Sequence, residues 1–258
     1  MRLTVLGGSA AGVNTGAGCS GYLLESTSTR IVLDLGPGTL LELRKHTDFR
    51  RLDGIVISHF HLDHVLDVAA LRFSLAYNPI APPSPIPLWL PPGGQAQLRA
   101  FASAFAEPGE EDAFFSRVFD VEEYDPRQGL EIGDFQLRFQ PTVHYIPCWA
   151  IRVSSADGST DLGYTADTGP ATPLADFFAG VGVLVSESTL LEPTDEPYES
   201  RGHLTAEEAG LLARSVGAHT LVLSHLWEEV GFSAYRRAAE AAFDGAVVLA
   251  RPGAQIEW

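Results

Sequence analysis

The sequence predicts an α/β protein in which short buried strands alternate with amphipathic helices. Three observations favour this class. Apolar runs of strand length recur along the 258 residues. Several of these runs lead into a segment whose apolar residues have helical spacing. Histidine and aspartate residues follow many of the runs, which is expected where rigid strands hold the loops of a functional site.

The first half of the chain supplies five predicted strands and three predicted helices. Apolar content, together with glycine and proline at the boundaries, is the guide to their limits. The strands are 2–6, 21–25, 30–33, 54–57 and 88–90. The helices are 39–45, 66–76 and a segment that opens at 91–94 and ends near 105.

Three irregular segments separate these elements. Small residues at 7–18 superficially resemble a nucleotide-binding loop, but a strand follows them instead of a helix. We therefore expect them to let the backbone approach the functional site. Residues 78–87 are rich in proline and are predicted to form an irregular wall of that site. Residues 107–112 are predicted as an acidic break between elements.

The second half of the chain is predicted to consist mainly of strands. By the same criteria these are 114–124, 130–140, 150–153, 161–164, 181–185, 221–223 and 246–250, with a turn at 156–158. Thr205 is predicted to cap a helix at 206–215, and Glu208 completes its capping box. A last helix is predicted at 233–243.

Four candidate metal ligands follow the strand at 54–57. His59, His61, Asp63 and His64 fall within six residues. The alternate residues His59 and His61 can face one point, and Asp63 and His64 then turn towards a second point nearby. Imidazole and carboxylate together suit zinc, iron or manganese better than calcium or magnesium. This spacing after a strand therefore predicts a metal site rather than an ordinary polar loop.

Further candidate residues lie just beyond other predicted strands. His144, Asp167 and His225 each occupy such a position. Either histidine alone would more often be structural, but together with the cluster they indicate one shared site. Asp34, at the end of strand 30–33, has two interpretations. It could cap a helix, or it could orient a ligating histidine through a hydrogen bond.

The ordered set of ligand-type residues resembles the pattern of the metallo-β-lactamase superfamily. The set is His59-x-His61-x-Asp63-His64, followed by His144, Asp167 and His225. The resemblance covers nearly the whole chain, so it implies one hydrolase domain over residues 1–258. It also implies a four-layer αββα sandwich, in which two mixed β-sheets pack face to face and helices lie outside.

The superfamily implies two divalent metal ions, usually zinc, although manganese and iron also accept such ligands. The resemblance assigns His59, His61 and His144 to one ion, Asp63, His64 and His225 to the other, and Asp167 to both. Lactamases themselves have a cysteine at the bridging position. This chain has Asp167 at that position, and in this respect it resembles the superfamily members that hydrolyse phosphodiesters, thioesters and lactones.

Two further segments resemble the ribonuclease Z branch of the superfamily. They contain Glu187 and His203, and in that branch the histidine lies near the scissile phosphate and the glutamate supports it. Ribonuclease Z also has a long tRNA-binding arm between the third and fourth ligand segments. Here that interval is 145–166, which two predicted strands and a turn already occupy. The chain therefore looks more like compact bacterial members of the branch, some of which are cyclic-nucleotide phosphodiesterases.

The acidic composition restricts the partners. The formal net charge is −16, and a surface this acidic repels polyphosphate, which disfavours large nucleic acids. A small anionic phosphodiester is compatible, because bound metal ions reverse the sign of the field inside a pocket. A homodimer is expected from the resemblance alone.

The location is predicted from the cysteines and from hydropathy. Cys19 and Cys148 lie in no Cys-x-x-Cys pair, so a disulfide framework is excluded. No signal-peptide core precedes the first glycines, and no apolar run reaches transmembrane length. We therefore expect a cytoplasmic protein without a membrane partner.

The predicted activity is hydrolysis of small phosphodiesters, such as cyclic nucleotides, by a hydroxide that bridges two metal ions. Asp63, Glu187 and His203 are the predicted catalytic residues. His203 would donate a proton to the leaving group and Glu187 would orient it, unless His203 only forms hydrogen bonds at the adjacent turn. The alternatives are a tRNA 3′-end endonuclease, a thioester or lactone hydrolase, and a metal-binding module without catalysis.

Overall fold

The computed structural model describes residues 1–155, 158 and 161–258, and it contains two seven-stranded sheets. The strands are β1 (Arg2–Gly7), β2 (Gly21–Glu25), β3 (Arg30–Leu35), β4 (Gly54–Val56), β5 (Ile86–Leu90), β6 (Phe119–Glu123), β7 (Leu130–Ile132), β8 (Phe135–Pro141), β9 (Trp149–Ser155), β10 (Asp161–Tyr164), β11 (Val183–Glu187), β12 (Thr220–Ser224), β13 (Ala246–Leu249) and β14 (Gln255–Glu257). The helices are α1 (Thr39–His46), α2 (Leu62–Val65), α3 (Asp67–Ala76), α4 (Gly94–Ala102), α5 (Glu111–Ser116), α6 (Leu174–Phe177), α7 (Ala206–Val216) and α8 (Phe232–Ala242).

Both sheets are mixed, and each is half parallel and half antiparallel. The first has the order β14-β1-β2-β3-β4-β5-β6, and it is antiparallel up to β3 and parallel from β3 to β6. The second has the order β13-β12-β11-β10-β9-β8-β7, and it is parallel from β13 to β10 and antiparallel beyond. The parallel strands matter for function, because their carboxyl ends meet at a common edge where loops can form a site.

Three apolar cores establish the four-layer order that the family resemblance implies. Leu24 and Val56 of the first sheet pack with Ile151 and Val185 of the second in a core between the sheets. Burial of such side chains drives the sheets together. A second core joins the other face of the first sheet to α1, α3, α4 and α5. A third joins the second sheet to α6, α7 and α8. The predicted αββα sandwich is therefore confirmed.

Helix α7 begins as the sequence predicts. The Thr205 hydroxyl accepts a hydrogen bond from the backbone N–H of Glu208, and the Glu208 carboxylate accepts one from the backbone N–H of Thr205. The two bonds satisfy amide groups that the first helical turn leaves without partners. The cap holds the end of the loop that contains His203, so it also positions the site.

Three predicted elements have different limits in the structure. The strand predicted at 114–124 is the end of α5 followed by β6, because the buried Phe114, Phe115 and Val118 have helical spacing. Part of the predicted break at 107–112 is the start of the same helix. The strand predicted at 130–140 is the hairpin of β7 and β8, which turns at Gly133 with φ 54°.

The proline-rich segment 78–87 is irregular only up to Pro85. Ile86 and Pro87 belong to β5. Proline is tolerated there because the pairing of β5 with β4 begins one residue later, at Leu88, so no ladder bond to β4 is lost.

Several short elements were missed, and one predicted turn is not described. The short helix α6 and the edge strand β14 have too few residues for a clear periodic signal. The turn predicted at 156–158 lies outside the described residues, apart from position 158. Within the part of the chain that the structure describes, no helix is both long and apolar enough to cross a membrane.

Candidate metal centre

The candidate ligands lie where strands of both sheets end. His59 follows β4 of the first sheet, whereas His144, Asp167 and His225 follow β8, β10 and β12 of the second. Helix α2 begins directly after His61, earlier than the helix predicted at 66–76. This early turn moves Asp63 and His64 out of line with the two histidines before them. The sandwich therefore gathers distant segments at one edge.

Three of the residues at this edge have a left-handed backbone. The φ angles are 56° at Asp34, 49° at Ala166 and 59° at His225. This conformation costs a non-glycine residue roughly 1–2 kcal/mol, and such strain persists where the surrounding structure imposes it. Each of the three positions is a site residue or the direct neighbour of one.

The first group of potential ligand atoms contains three histidines and one carboxylate. His61 Nδ1 lies 3.2 Å from His59 Nε2 and 3.0 Å from His144 Nε2. Asp167 Oδ2 lies 3.7 Å from the Nε2 atoms of both His59 and His144. Four donor atoms therefore converge within 4.8 Å of one another, as a metal ion requires.

The second group shares Asp167 with the first. His225 Nε2 lies 2.9 Å from Asp63 Oδ2 and 3.5 Å from Asp167 Oδ2. His64 Nε2 lies 3.2 Å from Asp167 Oδ1 and 3.5 Å from Asp63 Oδ2. One carboxylate thus faces both groups, and the members of the two groups are those that the family resemblance implies.

The protonation states of the first group's histidines and of the two carboxylates suit metal binding. Burial lowers the pKa of His59, His61 and His144, and the neighbouring imidazoles lower it further, so these rings keep a free lone pair at neutral pH. Burial alone would raise the pKa of Asp63, but the hydrogen bond from His225 and nearby positive charge bring it to about 2. Asp167 is likewise held ionised, because the charges of His225 and His64 outweigh its burial and lower its pKa.

The environment of His64 Nε2 indicates whether a cation fits between the ligands. His64 is fully buried and donates its Nδ1–H to Asp34 Oδ2 at 2.7 Å. Its Nε2 has no hydrogen-bond partner among the described residues, although it faces the carboxylate of Asp167. An unpaired buried polar atom is costly. A divalent ion between this nitrogen and the carboxylates would satisfy all of them, so the residues fit a metal.

Asp34 orients both ends of the histidine cluster. Its carboxylate accepts hydrogen bonds from the Ser58 backbone N–H at 2.7 Å, from the Ser58 hydroxyl at 2.7 Å and from the Tyr164 hydroxyl at 2.6 Å, in addition to His64. Ser58 Oγ in turn accepts from His59 Nδ1 at 3.0 Å. Helix α1 instead begins after Gly38. The geometry therefore favours the orienting role over the capping role.

Replacing Asp34 with asparagine is expected to weaken metal binding by about 10- to 100-fold, the usual cost of losing a carboxylate that orients a ligating histidine. Asparagine tolerates the left-handed backbone, so the change isolates the lost charge. Calorimetric titration of the apoprotein with zinc measures the affinity. Tyr164→Phe is the control, since it removes only one donor to the same carboxylate. An unchanged affinity in the Asp34 variant contradicts the orienting role.

Two of the remaining three ligand histidines, His144 and His225, are oriented from the second sheet. His144 donates its Nδ1–H to the carbonyl of Gly202 at 2.9 Å. His225 donates its Nδ1–H to Thr189 Oγ1 at 2.7 Å, and Thr189 donates its own proton to Glu187 at 2.9 Å. These bonds direct both Nε2 lone pairs inward. Sequence patterns indicated neither partner, because both contacts join segments far apart in the chain.

Glu187 and His203 form a third group beside the ligands. Glu187 Oε1 accepts the Nδ1–H of His203 at 2.8 Å. The His203 ring lies 5.1 Å from that of His144 and 5.5 Å from that of His225, measured between centroids, so it borders both ligand groups. Burial disfavours the charged imidazole, but the charge and hydrogen bond of Glu187 outweigh it and raise the pKa of His203 to about 9.

The proline-rich loop borders a cavity that is separate from the ligand groups. Residues Ala81–Pro85 line this cavity of about 470 Å³ together with Arg72 and Arg117. Its lining, as far as the structure describes it, includes none of the candidate ligands. The expectation that this loop walls the metal site is therefore not supported by its position.

The fold and the ligand groups define the class of protein: a metallo-hydrolase built on two mixed β-sheets. The chain belongs to the β-lactamase superfamily, since the model of the beta-lactamase superfamily domain matches residues 29–226. The family prediction is therefore confirmed.

Three relatives match most of the chain. The probable metallo-hydrolase YhfI of Bacillus subtilis is 28% identical over 255 residues, which is 98% of each chain. The uncharacterized protein Rv1339 of Mycobacterium tuberculosis is 30% identical, over 96% of this chain and 88% of its own. A ribonuclease Z of Halorubrum lacusprofundi is 26% identical, over 100% of this chain and 97% of its own.

Solved structures agree with the fold. The crystal structure of Bacillus subtilis YhfI matches with a TM-score of 0.86 and 26% identity, over 100% of this chain and 99% of the other. The short form of human tRNase Z matches with a TM-score of 0.74 at 20% identity, over 100% and 99%. The second likeness is one of fold only.

Proposed function

We propose that this metallo-hydrolase is a phosphodiesterase with two metal ions, and that it acts on small phosphodiesters such as cyclic nucleotides. The observation that carries the proposal is the position of His203, which is paired with Glu187 and borders both ligand groups. A proton donor at this point suits the cleavage of a bond whose leaving group is a poorly stabilised alkoxide.

The ligand groups would hold the two ions as the resemblance implies. His59, His61 and His144 form one set, Asp63, His64 and His225 form the other, and Asp167 faces both. When bound, two divalent ions supply a hydroxide nucleophile at neutral pH and neutralise the charge of a phosphodiester. Zinc is the first candidate, and manganese and iron remain compatible with these ligands.

The protein's own contribution to bond cleavage comes from His203. Its Nδ1–H is engaged by Glu187, so Nε2 is the nitrogen that can protonate the departing oxygen. Glu187 is 2% exposed, and the backbone N–H groups of Thr168 and Thr189 also hold it at 2.9 and 3.1 Å. A carboxylate fixed in this way sets the ring orientation and stabilises the imidazolium.

Two features favour a small substrate over tRNA. Strands β9 and β10 account for half of the short interval 145–166, which leaves no room for a long arm. The net charge of −16 disfavours polynucleotides. The ribonuclease Z relative supports phosphodiester chemistry in general, and it keeps tRNA 3′-end cleavage as the second candidate.

A substrate panel tests the proposal. Protein of known zinc or manganese content is assayed with bis(p-nitrophenyl) phosphate, 3′,5′-cyclic nucleotides, a tRNA precursor and acyl thioesters. Turnover of the small diesters without cleavage of the precursor is expected. Cleavage of the precursor alone would establish the second candidate, and hydrolysis of thioesters alone would overturn both.

Location and assembly are further parts of the proposal. Cys19 and Cys148 are buried free thiols, which suits a reducing cytoplasm. A homodimer is proposed from the family resemblance.

A further inference from the structure

Tyr145 is an exposed aromatic residue beside the site. It follows the ligand His144 directly, in the loop between β8 and β9. Its ring centroid lies 5.2 Å from that of His144 and 5.6 Å from that of His203. The residue nevertheless remains 55% exposed. A large aromatic surface is thus open to solvent beside both a candidate ligand and the candidate proton donor.

The ring is held in place although it is exposed. Its hydroxyl donates a hydrogen bond to Glu196 Oε2 at 2.8 Å. It also lies against the bare Cα of Gly202, where a Cβ would come within 2.7 Å of the ring atom Cε2. A surface tyrosine without such contacts samples several rotamers. The two contacts restrict the ring of Tyr145, so a ligand that packs on it avoids part of the entropy cost of fixing a side chain.

The charges around the ring indicate which group it would accept. The loop that contains Glu196 also has exposed carboxylates at Glu192, Asp195 and Glu199. A second phosphate on this side would be repelled, whereas an uncharged planar group would not. An aromatic ring can stack on any nucleobase, because every base has a π-face.

We propose that Tyr145 forms a stacking subsite for the uncharged aromatic group of a small phosphodiester, such as the base of a mononucleotide diester. The proposal rests on the proposed function and narrows its substrate class. The phosphate would lie at the ligand groups and His203, and the base would cover the open face of the ring. A substrate with one phosphate and one base could occupy the ligand groups and the Tyr145 ring at the same time.

The test compares Tyr145→Ala with wild type on two substrates, 3′,5′-cyclic AMP and the base-free cyclic phosphate of methyl ribofuranoside. Both release the same kind of alkoxide, so only the base differs. In the variant, the preference for the base-containing substrate, measured as the ratio of kcat/KM values, is expected to fall by about 5- to 150-fold, mainly through KM. Tyr145→Phe should keep most of the preference, because it retains the ring.

Tyr198→Ala is the matched control. Tyr198 is a 57% exposed tyrosine of the loop that contains Glu196, but its hydroxyl donates to the Pro170 carbonyl, and the described ring contacts of His144 and His203 do not include it. Its loss should leave the preference unchanged. Equal losses on both substrates in Tyr145→Ala, or no loss on either, would overturn the stacking subsite.

If the proposed function is wrong, the wild-type protein will hydrolyse neither diester. In that case calorimetry with cyclic AMP decides the subsite. Binding that weakens in Tyr145→Ala but persists in Tyr145→Phe supports stacking. Equal binding by all three proteins, or none by wild type, rejects it.

Discussion

Replacing His203 with alanine is expected to slow the hydrolysis of an alkyl phosphodiester by about 10²- to 10⁴-fold, the usual contribution of a positioned general acid. The alkoxide that departs from such a substrate needs a proton. His203 is the residue placed to give one, since Glu187 holds its Nδ1–H at 2.8 Å and keeps the ring protonated at neutral pH. Initial rates with 3′,5′-cyclic nucleotides measure the effect.

The choice of leaving group separates proton donation from a general loss of structure. p-Nitrophenolate departs without protonation, so the same variant should hydrolyse bis(p-nitrophenyl) phosphate nearly as fast as wild type. Glu187→Gln is the companion variant, because it removes the charge that holds His203 protonated. It should show the same dependence on leaving group with a smaller loss. Equal slowing of both substrates by His203→Ala would contradict the proton-donor role.

Replacing Asp167 with alanine is expected to remove activity by at least about 10³-fold, because metal ions contribute several kcal/mol to the stabilisation of transition-state charge. Asp167 is the residue shared by both ligand groups, with its carboxylate oxygens 3.2–3.7 Å from histidine nitrogens of each. Its loss should weaken both ions together. Metal analysis by plasma mass spectrometry after dialysis measures the content per chain.

Asp63→Ala provides the comparison for this result. Asp63 contacts His64 and His225 of the second group. Its variant should therefore lose one ion and keep the other, whereas Asp167→Ala should lose both. Full retention of two ions by Asp167→Ala would show that the shared carboxylate is not a metal ligand.

The local motif made much of the site predictable from the sequence. The four ligands from His59 to His64 are close together in the sequence. Their spacing after a buried strand can be recognised without knowledge of the tertiary structure. His144, Asp167 and His225 were found because each follows an apolar run. The arrangement of strands in the two sheets brings them together, and the family resemblance implied that arrangement.

Other parts of the site depend on contacts that no local pattern encodes. The role of Asp34 depends on a left-handed backbone and on partners 24 and 30 residues away. Tyr145 has no periodic signal, since an exposed aromatic residue in a loop is compatible with many roles. The strand predicted at 114–124 was wrong in its first part, because the adjacent buried Phe114 and Phe115 have helical spacing with Val118 and do not alternate as in a strand.

The origin of the ligands in both sheets has a consequence for folding. Asp63 and His64 belong to the first sheet's loop, and Asp167 and His225 to loops of the second. A bound ion would therefore join the two halves of the sandwich at one edge, and its binding free energy would add to their stability. Removal of the ions would leave the three apolar cores intact, but the two sheets would lose their connection through the metal ions at this edge. Unfolding would then start at the strand ends next to the metal ligands. After a chelator is added, the backbone amide hydrogens at these strand ends would exchange with solvent before those of the cores.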